Sequence, residues 1–229
     1  VGPGPQTIYQ GARRLPPGHH IAFDGRGRGE PRCHWRMRFV EDRRAPLAEL
    51  KSRFLDVLQQ SVAASAAGAR CGAFLSGGTD SSTVSGMLGR VTGAAADTFS
   101  IGFDAAGFDE MEYARIAARH FGTKHHEYYV TPADVVEAAP RIAAAYDQPF
   151  GNASAVPGYY CARFARQHGI ERLLAGDGGD ELFGGNGRYA KQQLFALYDK
   201  VPGFLRSGVL EPLLLRPEFI RHVPLLRKG

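Results

Sequence analysis

At 229 residues, 44% hydrophobic and 22% charged, the chain can bury a full core in one domain with a small appendage, and its composition excludes the fibrous and disordered classes. Its apolar runs stay short of the ~20 residues that span a bilayer, and nothing in it reads as a secretory signal. A cytoplasmic location is therefore expected and a membrane partner is not. The net charge of +5 permits nucleic-acid contact, but the arginines are scattered rather than gathered with aromatics, which favours a solvated basic surface over a nucleic-acid face. Cys33, Cys71 and Cys161 are too widely separated for a Cys-x-x-Cys metal or redox pair, and Cys71 sits in an apolar run that predicts a core position.

Residues 1 to 40 are rich in Pro and Gly, with short alternating pieces, Thr7-Ile8-Tyr9 and His20-Ile21-Ala22-Phe23, between the breakers Leu15-Pro16-Pro17-Gly18 and Asp24-Gly25-Arg26-Gly27. One or two β-hairpins are expected there, too small to stand alone. His19-His20 is not a chelating pair, because neighbours on a strand point to opposite faces. From Pro46 the pattern turns helical: Leu47, Leu50, Phe54, Leu55, Leu58 and Val62 form one stripe, expected to pack on the sheet that starts at Cys71.

Strand Cys71 to Leu75 leads through a polar turn into a helix reaching Met87-Leu88, and Asp97 to Phe103 reads as the second strand. Asp109 to Phe121 is a helix with acids in its first turn and Gly122 as its stop. The strand His125 to Val130 follows, with one of its two histidines expected in the core and the other outside. A helix from Pro132 to about Tyr146, the polar loop Asp147 to Ser154, a helix from about Ala155 to Gln167 and the strand Glu171 to Ala175 complete the run. Alternating strands and helices predict an α/β fold with a mostly parallel sheet flanked by helices. The tail from Tyr189 on is apolar and punctuated by Pro, so Phe195, Leu197, Tyr198, Phe204, Leu205, Leu213 and Leu214 should cover something.

The turn itself is Ser76-Gly77-Gly78-Thr79-Asp80-Ser81-Ser82. Adjacent glycines let the backbone approach a ligand closely, a helix starting near Asp80 aims its free N–H groups at the turn, and the serine hydroxyls add donors. That is an anion-binding arrangement. Asp80 beside a polyphosphate needs a cation between them, and magnesium would supply it. The Walker spacing and its lysine are absent. A second segment, Gly176-Asp177-Gly178-Gly179-Asp180-Glu181-Leu182-Phe183-Gly184-Gly185, crowds carboxylates and glycines after a strand, which again points to a cation.

The first turn resembles the Ser-Gly-Gly-x-Asp-Ser-Ser loop of the ATP pyrophosphatases, the PP-loop enzymes with an adenine nucleotide alpha hydrolase-like fold. The second resembles the Gly-Glu-Gly-x-Asp-Glu-Leu-Phe-Gly-Gly motif of the asparagine synthetase family, as do Phe99-Ser100-Ile101-Gly102-Phe103 and Gly122-Thr123-Lys124-His125-His126-Glu127. The run from Thr7 to His19 resembles the last strands of the glutaminase domain that precedes the synthetase domain in that family. The resemblance implies a remnant of a glutaminase domain over 1–40 and an ATP-pyrophosphatase synthetase domain over 45–229, incomplete at its C-terminus. The family's N-terminal cysteine nucleophile has no counterpart here, so the chain by itself is expected to be inactive as a glutaminase.

Residue by residue, the resemblance implies that Ser76, Gly77, Gly78, Ser81 and Ser82 bind pyrophosphate, and that Leu75, Ile101 and Gly176 line the adenosine site. It further implies that Asp80 and Asp180 ligate Mg2+, and that Asp177 is the catalytic residue at the acceptor. The expected reaction is adenylation of an acceptor carboxylate, aspartate or a related acid, by ATP, followed by attack of ammonia derived from glutamine. Its expected partners are these small molecules and the glutaminase domain of the same full-length chain, with a homodimer left open.

Three departures mark this sequence: Asp177 in place of glutamate, Asn186 in place of an aromatic, and Thr79 in place of an apolar residue. The first two border the acceptor site and put aspartate as acceptor in question. A PP-loop tRNA-modifying enzyme and a nucleotide-binding fragment without catalysis are the alternatives.

Overall fold

A computed structural model describes residues 4–25, 27–40, 44–103, 110–149 and 154–185, with positions 187, 198, 200–206, 208 and 212 beyond them. The expectations for Asn186, Phe195, Leu197, Leu213 and Leu214 lie outside the described residues. The chain divides into two compact units, Val1–Gly176 and Asp177–Gly229.

The first unit is built on four parallel strands: β5 (Cys71–Phe74), β6 (Asp97–Phe103), β7 (Lys124–Val130) and β8 (Arg172–Leu174), in spatial order β7-β6-β5-β8. The chain lays down β5, moves outward through β6 to β7, then returns to the other side of β5 with β8. The connection from β5 therefore runs to one side, toward β6, while the later strand β8 is added on the other side of β5. Ligands of open α/β sheets bind outside the carboxyl ends of the strands at such a switch point.

Helices cover both faces. On one, α1 (Leu47–Ala66), α2 (Thr79–Thr92) and α3 (Met111–Phe121) pack on Ala73 and Leu75. On the other, Phe99 is buried with Cys161, Ala165 and Ile170, and Val130 with Ala138 and Tyr160, which brings in α4 (Pro132–Ala145) and α5 (Ala155–Gln167). Strands covered on both sides have no solvent face. That is why the histidine pair departs from simple alternation: both His125 and His126 are partly buried. His126 Nε2 donates to Asp97 Oδ1 (2.9 Å) and its ring stacks on Phe99, while His125 Nδ1 meets the hydroxyl of Thr98 at 3.1 Å. The hydroxyls of Thr98 and Ser100 are satisfied, Thr98 by Thr123 at 2.9 Å and Ser100 by donating to the Leu75 carbonyl.

Three other expectations are corrected. The stripe on α1 is covered only in its C-terminal half, where Leu58, Val62 and Ala66 join the core; Leu47, Leu50, Phe54 and Leu55 are exposed. Twenty residues of helix run about 30 Å, whereas a four-residue strand such as β5 runs about 13 Å, so the helix outreaches the sheet. Cys71 is half-buried at the rim of that cluster rather than inside it. Thr7-Ile8-Tyr9 is a turn and not a strand: the Thr7 hydroxyl donates to the carbonyls of Tyr9 and Ala12 and accepts from the Tyr9 N–H, leaving a single bridge between Gln6 and Arg13. Short antiparallel pairs do form further on, β1 (His19–His20) with β4 (Arg32–Cys33) and β2 (Phe23–Asp24) with β3 (Gly27–Arg28). His20 there approaches His34 at 5.6 Å between ring centres, while His19 turns away to the Pro17 carbonyl.

The second unit opens with α6 (Gly179–Phe183) and includes a single turn, α7 (Gly203–Leu205). Leu205 is exposed, and the Arg206 guanidinium lies 5.2 Å from the centre of the Tyr198 ring. Among the described residues no helix is long and apolar enough to cross a membrane.

Candidate functional site: the loop after β5 and the acidic segment after β8

Leu75 fixes the exit from β5. Its side chain is buried against Met111, Ala114, Ala117 and Ala118 of α3, its N–H donates to Phe99 O at 2.9 Å, and its carbonyl accepts from Ser100 Oγ. The next three residues turn the chain into α2 and are knitted by two hydroxyls. Ser81 Oγ donates to Gly78 O (3.2 Å) and accepts from Ser76 N–H (3.2 Å), Ser76 Oγ and Ser81 Oγ meet at 2.9 Å, and Gly78 N–H reaches Ser76 Oγ at 3.4 Å. These two serines therefore shape the loop first.

The donors left over face the turn. Among the described residues the N–H groups of Gly77, Thr79, Asp80 and Ser81 have no acceptor, as the first turn of a helix requires unless something caps it. No side chain caps α2. Ser82 Oγ is buried and without a partner. Four free N–H groups at the turn form a cradle suited to an anion with several oxygens, and Ser82, the next residue along α2, carries an orphaned buried hydroxyl.

Gly77 sits at φ +82°, and a Cβ there would strike Tyr113 and the Ala114 N–H, so α3 presses on the outside of the turn. Gly176, the last residue of the first unit, is wedged the same way: its Cβ would lie 2.7 Å from Asp80 Cβ and 3.0 Å from Ser81 N. Of the expected adenosine residues, the fold brings Gly176 to the start of α2. It sends the side chains of Leu75 and Ile101 to opposite faces, Ile101 packing among the α5-side clusters.

In the second unit Asp177, Asp180 and Glu181 are all exposed. Gly178 precedes α6 at φ +90°, Gly184 ends it with its N–H on Asp180 O at 2.8 Å, and Asp180 Oδ1 folds back against Gly185, where no Cβ would fit. Leu182 and Phe183 project outward. Among the described residues, the carboxylates of Asp80, Asp177 and Asp180 make no hydrogen bond or ion pair, and no group of three or more His, Cys, Asp and Glu side chains gathers as a metal cage.

Sequence reasoning missed α3 as a wall of this site. Arg115 on α3 forms a forked pair with Glu127 on β7, Nε to Oε1 at 2.8 Å and Nη2 to Oε2 at 2.6 Å, and this holds the Glu127 carboxyl below its usual range. His125, whose Nε2 lies 3.6 Å from Glu127 Oε1, is pushed below its ordinary value chiefly by burial, and that buried Nε2 makes no hydrogen bond. Burial alone raises the Cys161 thiol to about 12, which makes it an inert core residue.

Residues 53–227 match the family model described as asparagine synthase. The chain belongs to the asparagine synthase family. It is 34% identical over 209 residues to a protein of Methanocaldococcus jannaschii named as putative asparagine synthetase 2, glutamine-hydrolyzing, covering 89% of this chain and 40% of that one. It is 32% identical over 158 residues to asparagine synthetase 1, glutamine-hydrolyzing, of Bacillus subtilis, covering 69% of this chain and 25% of that one. The chain thus spans 40% of the length of one relative and 25% of the other. Among solved structures, the NH3-dependent NAD synthetase of Campylobacter jejuni aligns with a TM-score of 0.37 at 10% identity, over 77% of each chain. In this asparagine synthase chain the family match takes in both the loop after β5 and the acidic segment after β8.

Proposed function

We propose that this chain is the ATP-using part of an amide-forming ligase. A carboxylate oxygen of the acceptor attacks the α-phosphorus of ATP, the α–β bridging bond breaks, and pyrophosphate leaves while AMP stays on the acceptor oxygen. Ammonia then attacks the acyl carbon, AMP departs with the C–O bond electrons, and the nitrogen loses a proton to give the amide. The observation that carries this reading is the anion cradle at the switch point of a parallel sheet: four unfilled N–H groups, with the orphaned Ser82 hydroxyl next along α2.

In this reading Ser76, Gly77, Gly78, Ser81 and Ser82 hold the departing pyrophosphate, and Leu75, Ile101 and Gly176 border the adenosine. Asp80 and Asp180 are the magnesium ligands, and Asp177 orients the acceptor. Pairing Asp80 with Asp180 rests on the two sequence motifs. The donor chemistry suits magnesium, since each is an unpaired carboxylate, and a hard cation shared with phosphate oxygens needs only one or two from protein. When bound, magnesium neutralises charge building on the bridging oxygen. The chain's own share is orientation: the loop N–H groups fix the β and γ oxygens so that the α-phosphorus faces the acceptor.

Residues 1–40 are read as the last strands of a glutaminase domain and 45–229 as the synthetase domain, with ammonia supplied by the former when complete. Phe23 on β2, and Trp35 and Phe39 in the stretch after β4, support this, being 73%, 58% and 75% exposed beside two-stranded pieces that cannot shield them. ATP–pyrophosphate exchange by the protein, run with aspartate and then with other small carboxylic acids, tests the reading. Exchange that depends on an acid and on magnesium is expected, and ATP cleaved between β and γ instead would overturn it.

A further inference from the structure

The outer wall of the loop is a helix from further along the chain, and what holds that helix bears on what the loop can bind. Where α3 meets Leu75 it presents Met111, buried at its N-terminal end, and then the small side chains of Ala114, Ala117 and Ala118. Small side chains allow close approach but interdigitate poorly, so they resist sliding less than a ridge of large residues seated in a groove. The C-terminal end of α3 is keyed, because the Phe121 ring fills the space that Gly86 leaves on α2. At the other end, where Tyr113 and Ala114 close on Gly77, Met111 is buried and the fork from Arg115 to Glu127 adds a directional tie, with Arg115 Nη2 also 3.4 Å from the Tyr129 hydroxyl. Glu127 stands on β7, at the edge of the sheet, so the fork ties the start of α3 to the scaffold rather than to the loop.

We propose that the Arg115–Glu127 pair is a positioning clamp for the pyrophosphate loop. It holds the first turns of α3 at the height where they back Gly77, and through that contact sets the spacing of the loop's free N–H groups. A bidentate pair fixes direction as well as distance, which a single contact does not. The pair is partly solvated, with side-chain exposures of 44% and 26%. Such pairs contribute little to global stability, so its loss acts on the loop rather than on folding. This inference rests on reading the loop as a pyrophosphate site.

The test is calorimetric binding of three probes, Mg·ATP, magnesium pyrophosphate and adenosine, to the 229-residue chain. Variants are Arg115→Ala, Arg115→Lys and the charge swap Arg115→Glu with Glu127→Arg. Arg141→Ala, which breaks the exposed Arg141–Glu137 pair on α4, is the control. Arg115→Ala and Arg115→Lys should each weaken ATP and pyrophosphate on the order of tenfold while leaving adenosine unchanged, since small misplacements of orienting groups are costly. The swap should restore most of the loss, and the control should match wild type. Arg115→Lys keeps the charge and the fold while removing the fork, so the result does not depend on the alanine variant folding. Unchanged pyrophosphate affinity in both variants sinks the clamp, and so does an equal loss for all three probes, which would mark general damage. A wild-type chain that binds neither ATP nor pyrophosphate overturns the functional reading itself, and the clamp falls with it.

Discussion

After β5 the chain turns through Ser76–Gly78 with constraint from every side: Leu75 is locked into the sheet, two hydroxyls stitch the turn, α3 presses on Gly77, and Gly176 presses on the start of α2. After β8 the segment Asp177–Gly185 uses the same vocabulary of glycines and acids without comparable support among the described residues. Its acids are exposed, Gly178 and Gly184 face open space, and α6 is five residues long. Gly77 serves packing as well as backbone conformation, whereas Gly178 and Gly184 serve backbone conformation alone. A loop held rigidly suits a ligand common to many reactions, such as a polyphosphate. A loop held only by its own turns can change its side chains without disturbing a core, which suits the part of a site that chooses the acceptor.

The contrast breaks if the two loops do not share one reaction. Asp80→Asn and Asp180→Asn, one on each loop, should each lower magnesium-dependent ATP–pyrophosphate exchange by about 10²-fold or more while the circular dichroism spectrum stays that of wild type. Should either variant exchange at the wild-type rate, that acid is no metal ligand, and the two loops are not parts of one centre.

Asp177 is where the second loop should show its separate role. An aspartate is one C–C bond, about 1.5 Å, shorter than the glutamate that the resembling motif carries, and displacement on that scale can cost on the order of a hundredfold in rate. We expect Asp177→Ala to keep ATP affinity within a few-fold and to lose acceptor-dependent pyrophosphate release. If it loses ATP binding and keeps its rate at saturating ATP, Asp177 belongs with the nucleotide and the division between the loops is wrong.

Stability measurements sharpen the comparison. Gly77→Ala meets both a positive φ, costing about 1–2 kcal/mol, and a filled space, costing about 1–3 kcal/mol. Gly178→Ala meets only the first. Urea denaturation should therefore show a loss of about 2–5 kcal/mol for Gly77→Ala and about 1–2 kcal/mol for Gly178→Ala. Equal losses would mean that α3 yields freely and does not brace the first loop.

Much of this was legible in the sequence. The order of strands and helices from Cys71 to Leu174 followed from periodicity and from glycine and proline stops, because each element is covered on its apolar side. The Ser76–Ser82 turn announced a strand, a tight turn and a helix start by residue type alone. What escaped were effects of distance. That Gly77 is glycine for the sake of Tyr113 and Ala114, and that Arg115 forks onto Glu127, depends on which helix the crossover lays beside the loop. The N-terminal half of α1 shows the reverse error: its stripe has the right period, but period does not say how far the sheet extends to meet it. The alternation argument for His125 and His126 failed for a related reason, since it assumes a strand with one wet face.

Mild acid should act on the braced loop's scaffold and leave the open loop alone. His125 lies behind α3, bonded through Nδ1 to Thr98, with Nε2 making no hydrogen bond and burial pushing its pKa below the ordinary value of about 6.5. The nearby Glu127 carboxylate favours the charged form, but burial is the larger influence, and the His126 ring and Arg115 guanidinium oppose protonation as well. In the unfolded chain His125 takes up its proton near pH 6.5, whereas in the folded chain it resists until lower pH. Between those two points the unfolded state holds more protons, so stability rises with pH across that window and is lost as pH falls. His125→Gln, which can still hydrogen-bond Thr98 but cannot titrate, should flatten this dependence. We expect the urea midpoint of the wild-type chain to drop between pH 7.5 and pH 5.5 by more than that of His125→Gln. A steeper fall in the variant than in wild type would mean that protonation stabilises the fold through Glu127, reversing the sign argued from burial.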